Sequence, residues 1–538
     1  MTASGFPINV FRKRPNILFQ FNDTHLGGNM KNTFFILLLV FPFSSFAQTA
    51  KIKIDVDRKI GEIDPKIYGV FMEPIHFSRP LPAQEKPVFG NTLYGPLYDP
   101  KSPQADENGF NKIYIEAAKE LRITNMRWPG GNYTAGYNWQ DGIGPKEKRP
   151  VRKELAWNTN ENNHVGTDEW VQLNEAIGSE NVVCINLGTG TIDDARWWVE
   201  YCNCEPGTYY ADLRKKYGHE KPFNVKYWCL GNEVDGEPWI IGYKNAEDYC
   251  KIAKNAARVM RLTDKSIKLV ACGSSNYDDS GKWVDWNWKI INELRDVADY
   301  ISIHRYWDRS SNYYVYVGQR AIDLEEKISL TASQIKAVRT RYRLDKPIYL
   351  SVDEYGAMGR GILPVLAAAQ YFNAFLRHAD AVKMANYTLF TSLLSFDKDK
   401  GLFATPLFHT FKLFSNNCLG NSVDVFTDCN AYDTNECKNI PYLDATAVFN
   451  DANDTLFINV VNRHKDEPIE TEILTASGTF SGEAVASIVN RDDIYENFTF
   501  DKKEEYIPVT KVLSVEGKKI TCSFPAHSFV QIKVKIKK

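Results

Sequence analysis

The sequence predicts an α/β fold, a (β/α)8 TIM barrel followed by a C-terminal all-β sandwich of jelly-roll-like type. Between about residues 65 and 415, short β-branched runs alternate with longer amphipathic runs. Eight such strand–helix pairs can be counted, which is the number in a closed (β/α)8 barrel. After about residue 420 only short alternating runs remain, separated by turn residues, which is typical of a sandwich. A chain of 538 residues is also too long for one hydrophobic core, so two domains are expected.

The barrel prediction depends on the alternation of strands and helices. Strands are predicted at Ile67–Phe71, Ile123–Trp128, Val182–Leu187, Val225–Leu230, Ile267–Cys272, Tyr300–Tyr306, Ile348–Glu354 and Ala381–Tyr387. Helices are predicted at Lys112–Leu121, Glu169–Ile177, Ala195–Tyr201, Ala246–Leu262, Trp286–Arg295, Ala321–Arg341, Ile362–Arg377 and Pro406–Phe414. An open doubly wound sheet is the alternative. It would normally carry a Gly-rich phosphate loop after its first strand, and the sequence has none there.

The sandwich prediction extends over the last part of the chain, where no helical pattern intervenes. Its strands are predicted at Ala445–Phe449, Thr455–Val461, Ile469–Leu474, Ala484–Val489, Val509–Val515, Lys519–Phe524 and Ser528–Val534. A lone strand at Lys51–Val56 precedes the barrel and could pair into the sandwich. The predicted boundaries are an N-terminal extension at 1–47, this N-terminal strand at 48–66, the barrel at 67–418 and the sandwich at 419–538.

The N-terminus has the pattern of a secretory signal peptide with its core at residues 30–47. A short apolar run, Phe34–Val40, follows Met30-Lys31, and Ser45-Phe46-Ala47 provides a small-x-small cleavage site. The run is too short to span a membrane, and no cysteine near the site suggests a lipid anchor. These features predict a periplasmic or extracellular protein, cleaved near Ala47. In an exported chain a disulfide would be most plausible among three cysteines of a turn-rich stretch, Cys418, Cys429 and Cys437.

The charge balance argues against several classes of partner. The net charge is −2 and no long basic run occurs, so neither nucleic acid nor an anionic membrane is an expected partner. Cys202 and Cys204 have no second cysteine pair at zinc-finger spacing, so no metal site is expected.

Two predicted strands end on glutamates, Glu233 after Leu230-Gly231-Asn232 and Glu354 after Leu350-Ser351-Val352-Asp353. A carboxylate at the end of a buried strand is costly unless the strand opens onto a polar cleft. As the ends of the fourth and seventh strands of an eight-stranded barrel, the two would face each other across its mouth. Facing carboxylates about 5 Å apart are the signature of a retaining glycosidase. Arg127 is the expected charge partner that keeps Glu354 ionised, and Tyr306 could donate to it as well.

The other predicted strand ends are also polar. They carry Glu73, Arg127, Asn132, Asn186, Asn232, His304, Tyr306 and Asn386. Active sites of (β/α)8 barrels lie at the C-terminal ends of the strands, so this pattern supports one polar site there. Each residue also has an ordinary structural interpretation, such as a buried core histidine for His304 or a tight turn at Trp128–Gly131.

Several long motifs resemble the α-L-arabinofuranosidases of glycoside hydrolase family 51. They are Arg127–Asn132 (RWPGGN), Gly136–Pro145, Asn186–Thr191 (NLGTGT), Lys226–Gly236 (KYWCLGNEVDG), Ile301–Tyr306 (ISIHRY) and Arg377–Asn386 (RHADAVKMAN). The resemblance covers residues 65–415 well and the sandwich only in character. It implies a barrel with a C-terminal β-sandwich, retaining hydrolysis of plant cell-wall glycans such as arabinan or arabinoxylan, no cofactor, and a possible homo-oligomer.

The resemblance also implies the roles of individual residues. Glu233 would be the general acid/base and Glu354 the nucleophile, with Tyr306 contacting the nucleophile and His304 supporting the site. Four residues would bind the sugar in the buried subsite: Asn232 at its 2-hydroxyl, Glu73 and Asn132 at other hydroxyls, and Trp157 as an aromatic wall.

Three positions depart from the family pattern. Tyr355 stands where the family usually has Trp. Leu389 stands where the family places a sugar-binding Gln, shortly after the eighth strand. Pro74 follows Glu73 where the family has His after its Glu. If all three touch the subsites, they change the accepted sugar rather than the proton chemistry. The alternatives are therefore a hydrolase of another furanoside, an endo-acting β-glucanase on the same scaffold, or a non-catalytic glycan-binding protein. Retention of both glutamates, Asn232 and Arg127 argues against the last.

Overall fold

The computed structural model describes residues 49–75, 92–237, 240–275, 281–397 and 399–537. The predicted N-terminal extension with its signal core at 30–47 lies outside these residues. So do residues 76–91 of the segment that follows the first barrel strand. Within the described ranges, no helix is both long and apolar enough to cross a membrane.

The described part of the chain contains 24 strands and nine α-helices. The strands are β1 (Ala50–Glu62), β2 (Gly69–Phe71), β3 (Asn125–Trp128), β4 (Arg152–Glu154), β5 (Thr159–Glu161), β6 (Glu180–Cys184), β7 (Tyr227–Leu230), β8 (Lys268–Ala271), β9 (Tyr300–Trp307), β10 (Tyr349–Ala357), β11 (Val382–Thr388), β12 (Leu394–Asp397), β13 (Gly401–Ala404), β14 (Asn421–Asp428), β15 (Ala431–Tyr432), β16 (Ile440–Pro441), β17 (Leu443–Asn450), β18 (Thr455–Asn462), β19 (Ile469–Thr475), β20 (Thr479–Val489), β21 (Val509–Leu513), β22 (Val515–Glu516), β23 (Lys519–Phe524) and β24 (Ser528–Lys537). The helices are α1 (Lys112–Glu120), α2 (Thr167–Ile177), α3 (Ile192–Asn203), α4 (Tyr209–Lys216), α5 (Ala246–Thr263), α6 (Lys282–Leu294), α7 (Arg320–Tyr342), α8 (Leu363–Arg377) and α9 (Pro406–Asn417).

Eight parallel strands close into a barrel in the order β10-β11-β2-β3-β6-β7-β8-β9. Each is followed by at least one α-helix, so the predicted (β/α)8 fold is confirmed. The strands are buried on both faces, by side chains inside and helices outside, as the run Tyr227–Leu230 of β7 illustrates. Because the strands are parallel, their C-terminal ends meet at one mouth.

Several elements, including the hairpin β4–β5, helix α4 and strand β14, escaped prediction because they lack the patterns used. The hairpin β4–β5 has the strand sequences Arg-Lys-Glu and Thr-Asn-Glu, which show no apolar alternation. Helix α4 is short and polar. Strand β14 follows α9 with little apolar alternation at its exposed end. The hairpin matters for the site, because the turn between its strands carries Trp157.

The C-terminal domain is a ten-stranded sheet in the order β21-β20-β24-β18-β17-β14-β1-β19-β23-β22. Strand β1 lies within it, antiparallel to β14 and parallel to β19. Residues from both ends of this order, such as Leu513 and Ile520, share one apolar core. The sheet therefore folds over onto itself, which confirms the predicted all-β sandwich.

The sandwich docks on the barrel through a buried polar contact centred on Asp444 of β17. Arg377 of α8 binds Asp444 at 2.9 Å, and Arg463 lies 3.6 Å from the same oxygen. Asn373 of α8 donates to Asp444 Oδ2 at 2.9 Å and accepts from Thr446 at 2.8 Å. Asp444 is only 6% exposed, so these partners replace the water that its charge would otherwise require.

The prediction of a disulfide among Cys418, Cys429 and Cys437 is wrong, because all ten cysteines are free thiols. Cys418 is fully buried below the barrel–sandwich contact, where its sulfur accepts from Asn459 and Gln531. It ends α9 and does not lie in an exposed turn, as the turn-rich stretch after it had suggested.

We expect Asp444→Ala to lower the free energy of unfolding by about 3–5 kcal/mol, because the buried Arg463 and the partly exposed Arg377 lose the carboxylate that they share. The midpoint of thermal or urea unfolding measures the effect. The matched control is Glu483→Ala, at an exposed strand position, which should change stability by less than about 0.5 kcal/mol. Equal midpoints for the two variants would contradict the importance of this contact.

Candidate active site

A β-bulge in β10 places two consecutive carboxylates in the mouth of the barrel. Ser351 pairs with Ser302 of β9, but Glu354 pairs with His304, so two residues of β10 oppose one of β9. Side chains alternate along a regular strand, and one extra residue lets neighbours face the same way. Asp353 and Glu354 consequently both contact Arg127 inside the barrel.

Arg127, at the end of β3, is the cation around which the site is built. Its Nη1 donates to Glu354 Oε1 at 2.8 Å, and its Nη2 donates to Asn232 Oδ1 at 2.6 Å. Its Nε lies 3.4 Å from Asp353 Oδ2. The side chain is 1% exposed and lies over the ring of Phe71 at 5.1 Å. A guanidinium donates in a rigid planar fork, so Arg127 sets the relative positions of three side chains from two segments, β10 and the end of β7.

Glu233 lies opposite Glu354, beyond the end of β7. Its backbone has φ = +44°, in the left-handed region that residues other than glycine rarely adopt. Its Oε1 lies 2.8 Å from Nδ1 of His304, the residue of β9 that also contacts Glu354 at 3.6 Å. One oxygen of each glutamate and one nitrogen of His304 lie within 4.8 Å of one another. The carboxyl groups are thus close enough for one sugar carbon and its leaving oxygen to be reached together.

Tyr306 holds the second oxygen of Glu354. Its hydroxyl lies 2.8 Å from Glu354 Oε2 and 2.9 Å from the hydroxyl of Thr388, at the end of β11. A phenol has one proton, so donation to Glu354 requires Thr388 to donate to Tyr306. Glu354 therefore receives one donor on each oxygen.

Burial and the charged groups of the site shift the pKa values of its carboxyl groups and of His304. Burial raises the pKa of Glu354 and the charge of Glu233 adds to this, while His304 and Arg127 oppose it. For Asp353, burial acts to raise the pKa, but Arg127 and His304 outweigh it and lower the pKa below its ordinary value. Burial by itself lowers the pKa of His304, yet the carboxylates around the ring raise it to about 10. His304 is accordingly an imidazolium at neutral pH.

Three of the predicted sugar-binding residues meet at Glu73, after β2. Its Oε1 accepts from the Tyr133 backbone N–H at 2.8 Å and from Trp157 Nε1 at 2.9 Å. Burial raises the pKa of Glu73, and the charge of Glu354 adds to it. Gly131, next to Asn132, has φ = +50°, and a Cβ there would lie 1.9 Å from Glu73 Oε2. The Gly-Gly pair thus lets the loop pass directly under the carboxylate.

Two buried amide atoms point to hydroxyl partners. Among the residues that the structure describes, neither Asn232 Nδ2 nor Asn132 Oδ1 has a hydrogen-bond partner. The Oδ1 of Asn232 is occupied by Arg127, so its Nδ2 is the free donor. An unsatisfied buried polar atom is costly, and a sugar hydroxyl is a suitable partner for each.

Other predicted strand-end residues lie outside this cluster. Asn186 shapes its own loop, bonding to Gly188, Thr189 and the backbone of Tyr137. Asn386 is buried between strands, where it donates to Val70 O and to Asn125. Both are structural residues of the barrel.

The structure also corrects the position of Tyr355. Because the bulge turns Glu354 inward, Tyr355 faces the helices and packs on Tyr371 and Phe375 of α8, at 4.9 and 5.1 Å between ring centroids. Its substitution therefore does not alter the pocket wall. Leu389 is likewise buried, at 3% exposed, while its neighbour Thr388 reaches the site through Tyr306.

Sequence reasoning missed Asp353 and the role of Thr388. The pair Asp353-Glu354 at a strand end was a signal, since two adjacent carboxylates cannot both be solvated in a buried strand. Strict alternation along the strand would place Asp353 on the opposite face from Glu354. The bulge that overrides this alternation is set by the pairing of β10 with β9 and β11.

Glu233, His304 and Glu354 are close enough to be compared with a metal-binding triad. Both ring nitrogens of His304 face carboxylates, Nδ1 towards Glu233 and Nε2 towards Asp353 at 3.1 Å. Each ring nitrogen of His304 thus has a carboxylate partner, and the two contacts fix the orientation of the ring.

Comparisons with known proteins agree with this geometry. The model of the "Alpha-L-arabinofuranosidase 1 domain" matches residues 117–316, and that of the "Alpha-L-arabinofuranosidase C-terminal domain" matches residues 363–528. The chain is 36% identical to an intracellular exo-α-(1→5)-L-arabinofuranosidase 1 of Bacillus subtilis, over 79% of this chain and 86% of that protein. It is 35% identical to an intracellular exo-α-(1→5)-L-arabinofuranosidase of Halalkalibacterium halodurans, over 79% and 87%.

These relatives also correct the predicted location. Both are named as intracellular enzymes, so the prediction of export, drawn from one short apolar run near the N-terminus, is wrong.

Structural similarity extends over both domains. A family 51 α-L-arabinofuranosidase of Bifidobacterium longum superposes with a TM-score of 0.82 at 26% identity, covering 90% of this chain and 99% of that one. Two family models and relatives above 30% identity confirm the resemblance read from the motifs. The chain belongs to the α-L-arabinofuranosidases of glycoside hydrolase family 51.

Proposed function

We propose that this protein is a retaining exo-α-L-arabinofuranosidase that releases terminal non-reducing arabinofuranosyl residues from arabinan or arabinoxylan chains and their oligosaccharides. One observation carries the proposal. Glu233 and Glu354 face each other at the ends of two barrel strands, within the 4.8 Å cluster that they form with His304. This spacing suits attack by one carboxylate and protonation by the other, without room for a water between them.

In the first step Glu354 attacks the anomeric carbon. Arg127 and Tyr306 hold its two oxygens, which fixes the attacking orbital and stabilises the ionised form. Glu233 donates a proton to the leaving oxygen as the glycosidic bond breaks. The product of this step is an arabinosyl ester of Glu354 and a free alcohol.

In the second step Glu233 acts as the base. The ester has removed the charge of Glu354, so Glu233 keeps the anionic form that it gained on protonating the leaving group. It accepts a proton from water as the water attacks the anomeric carbon, and Glu354 leaves as a carboxylate. Two inversions at one carbon give net retention.

The sugar subsite is supported by four groups around the catalytic pair. Asn232 and Asn132 present buried amide atoms without protein partners among the described residues. Glu73 presents its Oε2 while Oε1 is held by Tyr133 and Trp157. Trp157 is partly buried beside it and provides an apolar face. We assign the 2-hydroxyl to Asn232, because that residue precedes the acid/base and is oriented by Arg127.

Exo action and α-1,5 linkages are supported by the names of the relatives, which are called exo-α-(1→5)-L-arabinofuranosidases. The altered residues Tyr355 and Leu389 do not oppose arabinofuranose, because Tyr355 packs against α8 and Leu389 is only 3% exposed. Neither another furanoside nor an endo-acting glucanase is favoured by any contact of the site.

The wild-type enzyme should release 4-nitrophenol from the α-L-arabinofuranoside in preference to other aryl furanosides and pyranosides, and only arabinose from linear arabinan. Glu354→Ala should lower kcat by about 10⁴-fold or more, because it removes the nucleophile. Glu107→Gln, at an exposed glutamate, is the matched control and should keep full activity. A wild type that binds arabinan without hydrolysing it would reject the proposal in favour of a glycan-binding protein.

Glu233→Ala should slow turnover of the 4-nitrophenyl substrate by about 10²–10⁴-fold, because both proton transfers lose their catalyst. Azide needs no general base, so it should restore the second step and yield the α-arabinofuranosyl azide. Product analysis by NMR checks the anomeric configuration. A β-azide, or rescue of Glu354→Ala with retention, would show that the two roles are reversed.

Tyr306→Phe should shift the acidic limb of the kcat/KM profile to higher pH by about one unit, because a hydrogen bond that favours ionised Glu354 is lost. The ionised form is the active nucleophile, so activity is lost first at low pH. The control is Tyr316→Phe, whose buried hydroxyl has no hydrogen-bond partner in the described part of the chain. An unchanged acidic limb in Tyr306→Phe would show that Tyr306 does not set this titration.

A further inference from the structure

Asp353 lies beneath the two glutamates and faces the two cations of the site. It is 1% exposed, its Oδ1 lies 3.1 Å from His304 Nε2, and its Oδ2 lies 3.4 Å from Arg127 Nε. The bulge in β10 brings it there, next to Glu354. None of the proposed chemical steps uses Asp353, yet a buried carboxylate is retained only where it has charged partners.

The charges of the site balance only if one carboxyl keeps a proton. Arg127 and His304 supply two positive charges, and Asp353 and Glu354 supply two negative charges. Glu233 is the third carboxyl of this cluster, and it shares the cation of His304 with Asp353 and Glu354. With Asp353 and Glu354 ionised, the proposed acid/base Glu233 is the group that holds the proton of the resting enzyme.

We propose that Asp353 is a positioning residue that keeps His304 in its imidazolium form, so that His304 Nδ1–H donates to Oε1 of Glu233 and leaves the other oxygen to carry the catalytic proton. This inference rests on the proposed role of Glu233 as the acid/base. In this proposal the protonated ring is the donor in the 2.8 Å hydrogen bond between Nδ1 and Oε1.

Glu354 and Asp353 both raise the pKa of His304, and without the charge of Asp353 the ring would lose the carboxylate that faces its Nε2–H. A neutral ring that keeps its proton on Nε2 has an acceptor at Nδ1. Glu233 would then turn its own O–H towards His304, and the proton would be directed away from the leaving oxygen. Acid catalysis would fall although both glutamates remained in place.

The groups that face His304 and Asp353 come from every element packed around them. On the side of the barrel mouth lie four groups, Arg127, Glu233, Tyr306 and Glu354. Glu73 lies farther out. Below, Cys229 Sγ lies 3.8 Å from Asp353 Oδ2, Cys272 lies near Asp353, and Lys327 Nζ donates to the backbone oxygen of His304 at 2.9 Å. A hydrogen bond with Cys184 and burial raise the pKa of Cys229, and burial raises the pKa of Cys272, so both thiols are neutral at pH 7 and Asp353 is the carboxylate that faces the ring from below.

Asp353→Asn tests the inference, since it removes the charge with almost no change of shape. The matched control is Asp299→Asn, a buried ion-paired aspartate that immediately precedes β9 at the opposite end of the barrel from His304. Selective ¹⁵N-histidine labelling of the full chain, with His304 assigned by His304→Gln, reports the protonation of the ring. We expect an imidazolium at pH 7 in the wild type and in Asp299→Asn, and a neutral ring in Asp353→Asn.

Kinetics provides a second readout that a merely structural role would not move. Asp353→Asn should lower kcat/KM for phenyl arabinofuranoside by about 10²-fold, but much less for the 4-nitrophenyl substrate, whose leaving group needs little acid assistance. Equal losses on both substrates would overturn the inference. So would a neutral His304 in the wild type at pH 7, a result that does not depend on the variant being folded.

Failure of the proposed function has a different signature. A wild type with no arabinofuranosidase activity would reject the function, while the histidine spectra would still decide whether Asp353 holds the ring protonated. An active wild type with an unchanged ring in Asp353→Asn would reject the inference alone.

Discussion

The buried guanidinium of Arg127 is the interaction on which the rest of the active site depends. It is almost fully removed from water and is stabilised by the carboxylates of Asp353 and Glu354 and the amide oxygen of Asn232. A buried charge is stable only with such partners, and the planar fork allows them few alternative positions. One side chain from β3 thereby orients Glu354, the proposed nucleophile on β10, and Asn232, the residue before the proposed acid/base. Both glutamates also contact His304, which lies between them.

The bulge in β10 gives this arrangement its second carboxylate. In a regular strand only one of Asp353 and Glu354 would face the barrel interior. The extra residue turns both inward and turns Val352 and Tyr355 towards the helices, where Tyr355 packs on α8. One irregularity of pairing therefore supplies the charge beneath His304, places the proposed nucleophile Glu354 and turns Tyr355 out of the pocket. Bulges at barrel rims commonly redirect side chains in this way.

The sandwich supports the barrel from the side of α8 and does not contribute any of the residues assigned to the site. Helix α8 follows the nucleophile strand and presents its inner face to Tyr355 and its outer face to Asp444 and Thr446 of β17. The polar contact at Asp444 specifies one docking orientation, because its charged partners cannot be left unpaired when the domains slide. This gives the C-terminal domain a physical role in holding the seventh and eighth strand–helix units in place.

The eight strands, the sandwich and the two glutamates at the ends of the fourth and seventh strands could be predicted from the sequence, because alternation of apolar residues is a local property and strand ends follow from it. The family followed from long motifs such as RWPGGN and KYWCLGNEVDG. Other features depend on contacts between segments far apart in the chain. The bulge at Asp353 is set by pairing with β9 and β11, the donor from Thr388 by the approach of β11 to Tyr306, and the free thiol of Cys418 by its burial against β18 and β24. The sequence by itself determined which residues the chain places at the mouth of the barrel. Only the tertiary structure decided which of them share protons and charges, because those depend on distances of a few ångströms between strands that the sequence separates.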